Sequence, residues 1–214
     1  MIQNIFLDVD KQEAYVGQEP VSLADAKAHC RVDFADDDTL LTDLITECRG
    51  VIEDYCHISL VQKTVTLTTK AEEALKSNYA QPFQVREQFN EFELPYGPVR
   101  SVDIVTSIDS DGVTVLNLDI DSDYYVWGSA FKYIRISNNF TNNILVYTAG
   151  YGTEQGTTPG PIPGPLKRAI LNEVAYRYEM RGEPQNIRAT AFTEEGVCQA
   201  ARILAFPYRR LTSI

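Results

Sequence analysis

Carboxylates supply nearly all the side chains of this sequence that could do chemistry. Asp109-Ser110-Asp111-Gly112 has the opening of a calcium loop, and Asp119, Asp121 and Asp123 alternate shortly after it. An EF-hand loop needs a third oxygen ligand before the glycine and a later Glu. Neither is present, and alternating aspartates on a strand serve to keep its edge soluble. Two histidines, His29 and His57, leave little imidazole for acid–base work, although a carboxylate pair flanking a cleft could still do it. Cys30, Cys48, Cys56 and Cys198 lack CxxC spacing, and the pairs His29-Cys30 and Cys56-His57 both fall on expected helices. They read as reduced, core-filling thiols. There is no GxSxG, HExxH, Walker loop or GxGxxG after a strand. Gly150-Tyr151-Gly152 leads into prolines rather than a helix, so it makes no phosphate cradle. The expectation is a protein without catalysis, metal or cofactor.

The elements that carry these residues fall into three regions. From Pro20 to His57 the pattern is helical. Ser22 with Asp25 three residues on forms a capping box, Val21 offers a hydrophobic staple, and that helix runs to about Arg31. A second helix opens with Asp36, Asp37 and Asp38, acids at the partly positive helix start. Leu41, Ile45, Cys48, Ile52 and Tyr55 then form one apolar stripe, widened by Leu40, Leu44 and Val51. From about Leu60 to Thr148 the period becomes two. Strands are expected at 61–69, 89–94, 100–108, 113–118, 123–127, 131–136 and 144–148, separated by turn residues such as Pro95-Tyr96-Gly97-Pro98. Residues 70–86 are ambiguous, with a helical turn possible at 71–77. Trp127, Tyr124, Tyr125, Phe131 and Tyr133 could make a stacking platform, though aromatics at alternating spacing more often fill a sandwich core.

Residues 150–165 read as a semi-rigid linker, with Pro159, Pro161, Pro163 and Pro165 interleaved with Gly160 and Gly164. Pro165 suits the first turn of a helix whose face is Leu166, Ile170, Val174 and Tyr178, with Gly182 ending it. A last helix is expected from Thr193-Glu194-Glu195, with Val197, Ala200, Ala201 and Leu204 inward and Phe206-Pro207 as its stop. A helix pair cannot bury its own stripe, so the two helical ends should pack together. The fold class is α+β, a small helical bundle of N- and C-terminal parts with an inserted antiparallel β sandwich or barrel-like domain. Residues 1–60 and 160–206 form the helical core, 61–149 the β domain, 150–165 the Gly/Pro linker and 207–214 a docking tail.

Composition narrows the function. The 214 residues carry 19 Lys+Arg against 30 Asp+Glu, a net charge of −11, which opposes a nucleic-acid-gripping surface. No apolar run is long enough to cross a bilayer, and the N-terminus lacks a basic n-region, so no secretory signal is expected. The charge is uneven: from Gly160 onward eight basic residues face five acidic ones, leaving the first 159 residues at −14. A basic, aromatic-flanked end on an acidic body reads as a docking segment for an acidic surface, rather than ordinary helix-terminal arginines and a frayed end.

Several segments resemble the head–tail connector, or adaptor, proteins of long-tailed bacteriophages, the larger type with a β insertion. They are Val21–Asp33 with the following Asp36-Asp37-Asp38, the helix end Val51-Ile52-Glu53-Asp54-Tyr55, and Leu94–Val102. Pro165–Ile170 through Tyr178–Glu183, and the close Leu204–Arg210, complete the set. Cys30 stands where an aliphatic is usual, and Cys56-His57 replaces a commoner threonine-containing turn. Gene transfer agents use similar adaptors. The resemblance implies a structural virion protein made in the bacterial host cytoplasm and placed in the neck. It would form a probable dodecameric ring beneath the portal protein, extend the DNA channel used in genome ejection and link head to tail. Its partners would be the portal, a stopper or tail-completion protein, and itself, monomeric in isolation. Double-stranded DNA would pass without specific binding, and no membrane is involved. Phe206, Tyr208, Arg209, Arg210, Leu211 and Ile214 would form the portal-docking tail. Leu41, Ile45, Cys48, Ile52, Tyr55, Leu166, Ile170 and Val174 would serve helical core and ring packing, and Asp36, Asp37 and Asp38 would face the channel. The alternatives are a stopper or tail-completion protein, and a virion protein whose β domain binds carbohydrate or a receptor.

Overall fold

The computed structural model describes residues 5–12, 19–71, 90–108, 115–137, 142–152, 160–181 and 196–210. The chain divides into two compact units. One comprises Val16–Val61 and Tyr151–Leu211, the other Met1–Tyr15, Gln62–Gly150 and Thr212–Ile214.

The first unit is helical. Helix α1 (Leu23–Cys30) starts at the expected capping box: the Asp25 N–H donates to Ser22 Oγ at 3.1 Å and the Ser22 N–H to Asp25 Oδ2 at 3.3 Å. Helix α2 (Asp38–Cys56) buries the expected stripe Leu41, Ile45, Cys48, Ile52 and Tyr55, with Leu44 beside it. Leu40 instead points outward. Helix α3 (Gly164–Met180) has a proline in its first turn and buries Leu166, Ile170, Val174 and Tyr178 as expected. It packs against α1, α2 and α4 (Gln199–Ala205), so α3 is the centre of the unit. The last helix starts later than the pattern suggested. Val197 is buried ahead of it, Ala201 and Ala205 face inward, Ala200 is exposed and Leu204 half-buried. Residues 193–195 and Gly182 lie outside the described residues. A 3-10 turn, Phe206–Tyr208, follows α4 directly.

Two buried carboxylates join the chain segments of this unit. Glu53, only 2% exposed, accepts from Arg49 Nη1 at 2.8 Å and from the Leu60 N–H at 2.6 Å, with a longer contact from the Val61 N–H. Arg49 Nε reaches Glu19 Oε2 at 2.8 Å, tying the approach to α1 onto α2. Glu173, fully buried on α3, accepts from Arg177 Nε and from the Cys198 N–H, both at 2.8 Å. Arg177 also pairs with Glu47 on α2. A carboxylate taken out of water is costly unless charge and hydrogen bonds meet it, and both are met here.

The second unit is an antiparallel sandwich. Strands β1 (Ile5–Gln12), β2 (Lys63–Ala71), β4 (Val99–Ile108), β5 (Val115–Asn117) and β8 (Asn142–Ala149) form a sheet of order β1-β2-β8-β4-β5. Strands β3 (Asn90–Glu93), β6 (Tyr124–Gly128) and β7 (Lys132–Ile136) form the other, ordered β3-β7-β6. Inward residues of both sheets share one core: Val65, Leu67, Val105, Leu145 and Tyr147 from the larger, Tyr124, Ile134 and Ile136 from the smaller. Tyr147 donates its phenol to the Pro95 carbonyl at 2.7 Å, so its buried polar tip is satisfied. The tight β6–β7 turn requires Gly128, which sits at φ +106, and any Cβ there would collide with the Phe131 carbonyl oxygen.

Seven strands lie close to their expected positions; β1 was not anticipated. It pairs antiparallel with β2, Ile5 opposite Ala71 through Gln12 opposite Thr64. These residues therefore belong to the sheet, not to the helical core expected over 1–60. A strand is defined by its partner, and this partner begins about fifty residues further on. The helical turn considered at 71–77 lies outside the described residues except for Ala71, which ends β2.

Glu53 gives the sharpest test of how the helical unit is held. Glu53→Ala takes one carboxylate from the buried Arg49, which keeps Glu19, and takes the acceptor from two backbone donors. It should lower unfolding free energy by about 3–5 kcal/mol in urea denaturation followed by helical ellipticity. A loss below about 1 kcal/mol would show that the buried pair is not what holds the unit.

Candidate functional site

The candidate site is a set of surfaces on the helical unit. Its C-terminal arm follows from α4. The 3-10 turn brings Arg209 and Arg210 back onto the end of α2, where the Arg210 N–H donates to the Cys56 carbonyl at 2.8 Å. The Arg209 guanidinium lies 5.0 Å from the Tyr55 ring centroid. Tyr208, Arg209 and Arg210 are half-buried, whereas Phe206 is 63% exposed. The expected tail from residue 207 is therefore anchored in its own unit as far as Arg210, because the α2 carbonyls and the Tyr55 face offer it partners. Leu211 and Ile214 lie outside the described residues.

The acidic run is likewise used inside the unit. The Tyr178 phenol donates to Asp37 Oδ2, and Arg181 Nη2 approaches the same oxygen at 3.1 Å. The hydrogen bond to Asp37 is the main reason the Tyr178 phenol titrates above its ordinary range. Lys27 Nζ pairs with Asp38 and also reaches the Phe34 carbonyl at 2.7 Å. Asp36 alone of the three is exposed, so the run's first task is to fix the α1–α2 turn on α3.

Next to these lies an open groove lined by His29 of α1, Asn172, Tyr176 and Glu179 of α3, and Ala200 and Ile203 of α4. Sequence reasoning missed it, because it forms where α1 and α4 approach α3 without closing over it. The usable signal was Ile203, an aliphatic set off the inward stripe of α4.

The thiols are core groups. Burial pushes Cys48 and Cys56 up to about 12 and Cys198 up to about 11, so all three remain protonated at neutral pH. Cys30, less buried, is also raised. Among the described residues no group of three or more His, Cys, Asp or Glu could hold a metal ion. Asp109–Gly112 fall outside those residues. Asp119 and Asp123 close a local turn instead, the Asp119 N–H donating to Asp123 Oδ2 at 2.9 Å.

On the small sheet the aromatics divide by parity. Tyr124 faces the core, while Tyr125, Trp127 and Tyr133 face outward. Trp127 and Tyr133 stack across β6–β7 with centroids 6.0 Å apart, and the Tyr133 phenol donates to Glu93 at 2.9 Å. Three of the expected core aromatics are thus on the surface, and Phe131 is half-buried.

Among the described residues no helix is long and apolar enough to cross a membrane. Residues 20–93 match the family described as Phage gp6-like head-tail connector protein. No curated protein matches the chain. Among solved structures, a chain in "Neck of empty GTA particle computed with C6 symmetry" matches with TM-score 0.65 at 18% identity, covering 97% of both chains. A chain in "Virion of native gene transfer agent (GTA) particle" matches with TM-score 0.64 at 18% identity, covering 96% of this chain and 97% of that one. "Neck of native GTA particle computed with C12 symmetry" contains another, at 0.64 and 17%, again covering 97% of both. At such identities the structures establish a shared fold. The resemblance read from the sequence is borne out: over residues 20–93 the chain carries the head–tail connector signature, on a fold shared along nearly its whole length with a chain of gene-transfer-agent necks.

Proposed function

We propose that the protein is a structural adaptor of a phage-type neck, and that its work is assembly rather than catalysis. The observation that carries this is the coincidence of two independent likenesses, the connector signature over residues 20–93 and a fold shared with neck chains over 97% of both lengths. Copies assemble into a ring beneath the portal, meet a stopper or tail-completion protein below, and line a passage for double-stranded DNA. The symmetric necks of the structural relatives support a ring, with twelve copies as the number their C12 symmetry suggests. A net charge of −11 suits a conduit, since repulsion keeps phosphates from sticking as the duplex slides. The virion neck is then its place, reached after synthesis in the host cytoplasm.

The portal contact is assigned to the arm after α4. The Arg210 N–H bond to the Cys56 carbonyl fixes the point on α2 from which residues 211–214 continue, and those residues are the ones assigned to the portal. Each copy docks weakly, and multiplicity makes the joint tight.

Light scattering tests the assembly. The isolated protein should be a monomer, and mixing with its portal should give a closed ring on the portal; a stable ring without portal would contradict the scheme. Removing residues 211–214 should leave ellipticity unchanged and weaken portal capture at least about tenfold, through lost multivalent contacts. Undiminished capture would remove the arm from the interface.

A further inference from the structure

The helical unit exposes large apolar side chains in two places, and the two places carry opposite charge. Phe34 and Leu40, at the α1–α2 turn and on the outward face of α2, are 46% and 37% exposed. Asp33, Asp36 and Asp43 surround them in sequence and are exposed. On α4 and the turn after it, Ile203 and Phe206 stand one helical turn apart at 66% and 63% exposed. Arg202 is exposed beside them. Ile203 also walls the groove whose α3 side is the stripe Asn172, Ala175 and Tyr176, and Arg168, one turn earlier on that stripe, is exposed.

We infer that neighbouring copies join through these two patches, the acidic Phe34/Leu40 patch of one copy seating on the Ile203/Phe206 ridge of the next, on the side that carries Arg202 and Arg168 and away from Glu179 of the groove. The inference rests on the ring reading above and names the faces that make the ring. Among the described residues, four of the unit's five large exposed apolar side chains fall in these two patches, Met180 being the fifth. Leaving such groups in water is unfavourable, and clustered exposure marks an interaction surface. Charge selects the occupant. A patch meeting its own copy would set aspartates against aspartates or arginines against arginines, whereas the two different patches attract. Contact between unlike faces of identical copies is heterologous, the kind that closes into a cyclic ring. Neither patch is large, so pairwise association is weak until copies are gathered, as the monomer expected in isolation requires.

Two single variants, Leu40→Cys and Ile203→Cys, read the contact directly when cross-linked with a bis-maleimide. Both are made on a Cys30→Ser chain, because Cys30 is only half-buried, and that chain without an added cysteine is the control; burial keeps the other native thiols Cys48, Cys56 and Cys198 protonated and slow. The experiment is run on concentrated protein and on the portal complex. A mixture of the two variants should give a covalent dimer and each variant alone should not, while the double variant should give a ladder. Adding Arg202→Glu to the Ile203→Cys chain should cut the mixed dimer about tenfold, and Asp43→Lys on its partner should restore it. Dimers from either single variant alone, or no mixed dimer in both preparations, would overturn the inference. A ladder in a protein that no portal captures would uphold this contact and remove the neck reading. Portal capture without any mixed dimer would remove this contact and leave the neck reading standing.

Discussion

A carboxylate sealed from water must find a cation and donors where it lies, and the helical unit is arranged around two that do. Glu53 draws in Arg49, and through it Glu19, and receives the backbone of Leu60 and Val61 where the chain leaves the unit. Glu173 draws in Arg177 and takes the Cys198 N–H at the start of α4. Apolar stripes alone would press α2, α3 and α4 together in many registers. A buried ion pair with directional backbone donors admits few, and we assign it that role here. Its cost is met only when both distant parts of the chain are present.

That arrangement explains how a β sandwich can be carried inside a helical body. Lys63 opens β2 and Ala149 closes β8, and the two residues are paired across the sheet. The chain thus enters and leaves the sandwich at adjacent points. Glu53 fixes the departing strand just before Lys63, and the bridge between Gly152 and Pro161 shapes the return into α3. An insertion with neighbouring ends disturbs the folding of its host little.

Much of this was legible in the residues, and the failures have physical reasons. The α2 stripe, the Ser22 cap and the proline at the head of α3 are local signals, read from spacing and side-chain chemistry within one or two turns. Strand β1 was missed because its partner is distant in sequence. Period two placed Tyr124, Tyr125, Trp127 and Tyr133 on a strand pair correctly, but period alone does not say which parity meets the other sheet. Tyr124 proved inward and the other three outward. The arm was expected to dock on a partner because Arg209 and Arg210 are charged, flanked by aromatics and near the end. The Tyr55 ring and the Cys56 carbonyl that hold them lie about 150 residues earlier, beyond what a window of sequence can show. Asp37 and Asp38 were expected at a helix start and facing a channel; they do stand at the start of α2, where Tyr178, Arg181 and Lys27 claim them.

The central claim is that residues 16–61 and 151–211 make one self-sufficient helical body that merely hosts the sandwich. Replacing residues 62–150 by a short Gly/Ser loop, and starting the chain at residue 16, tests it most directly through the two-dimensional NMR spectrum and thermal melt of the product. The account predicts dispersed amide signals and one cooperative helical transition, with the Leu60 and Cys198 amides slow to exchange. A collapsed spectrum without a transition would contradict it.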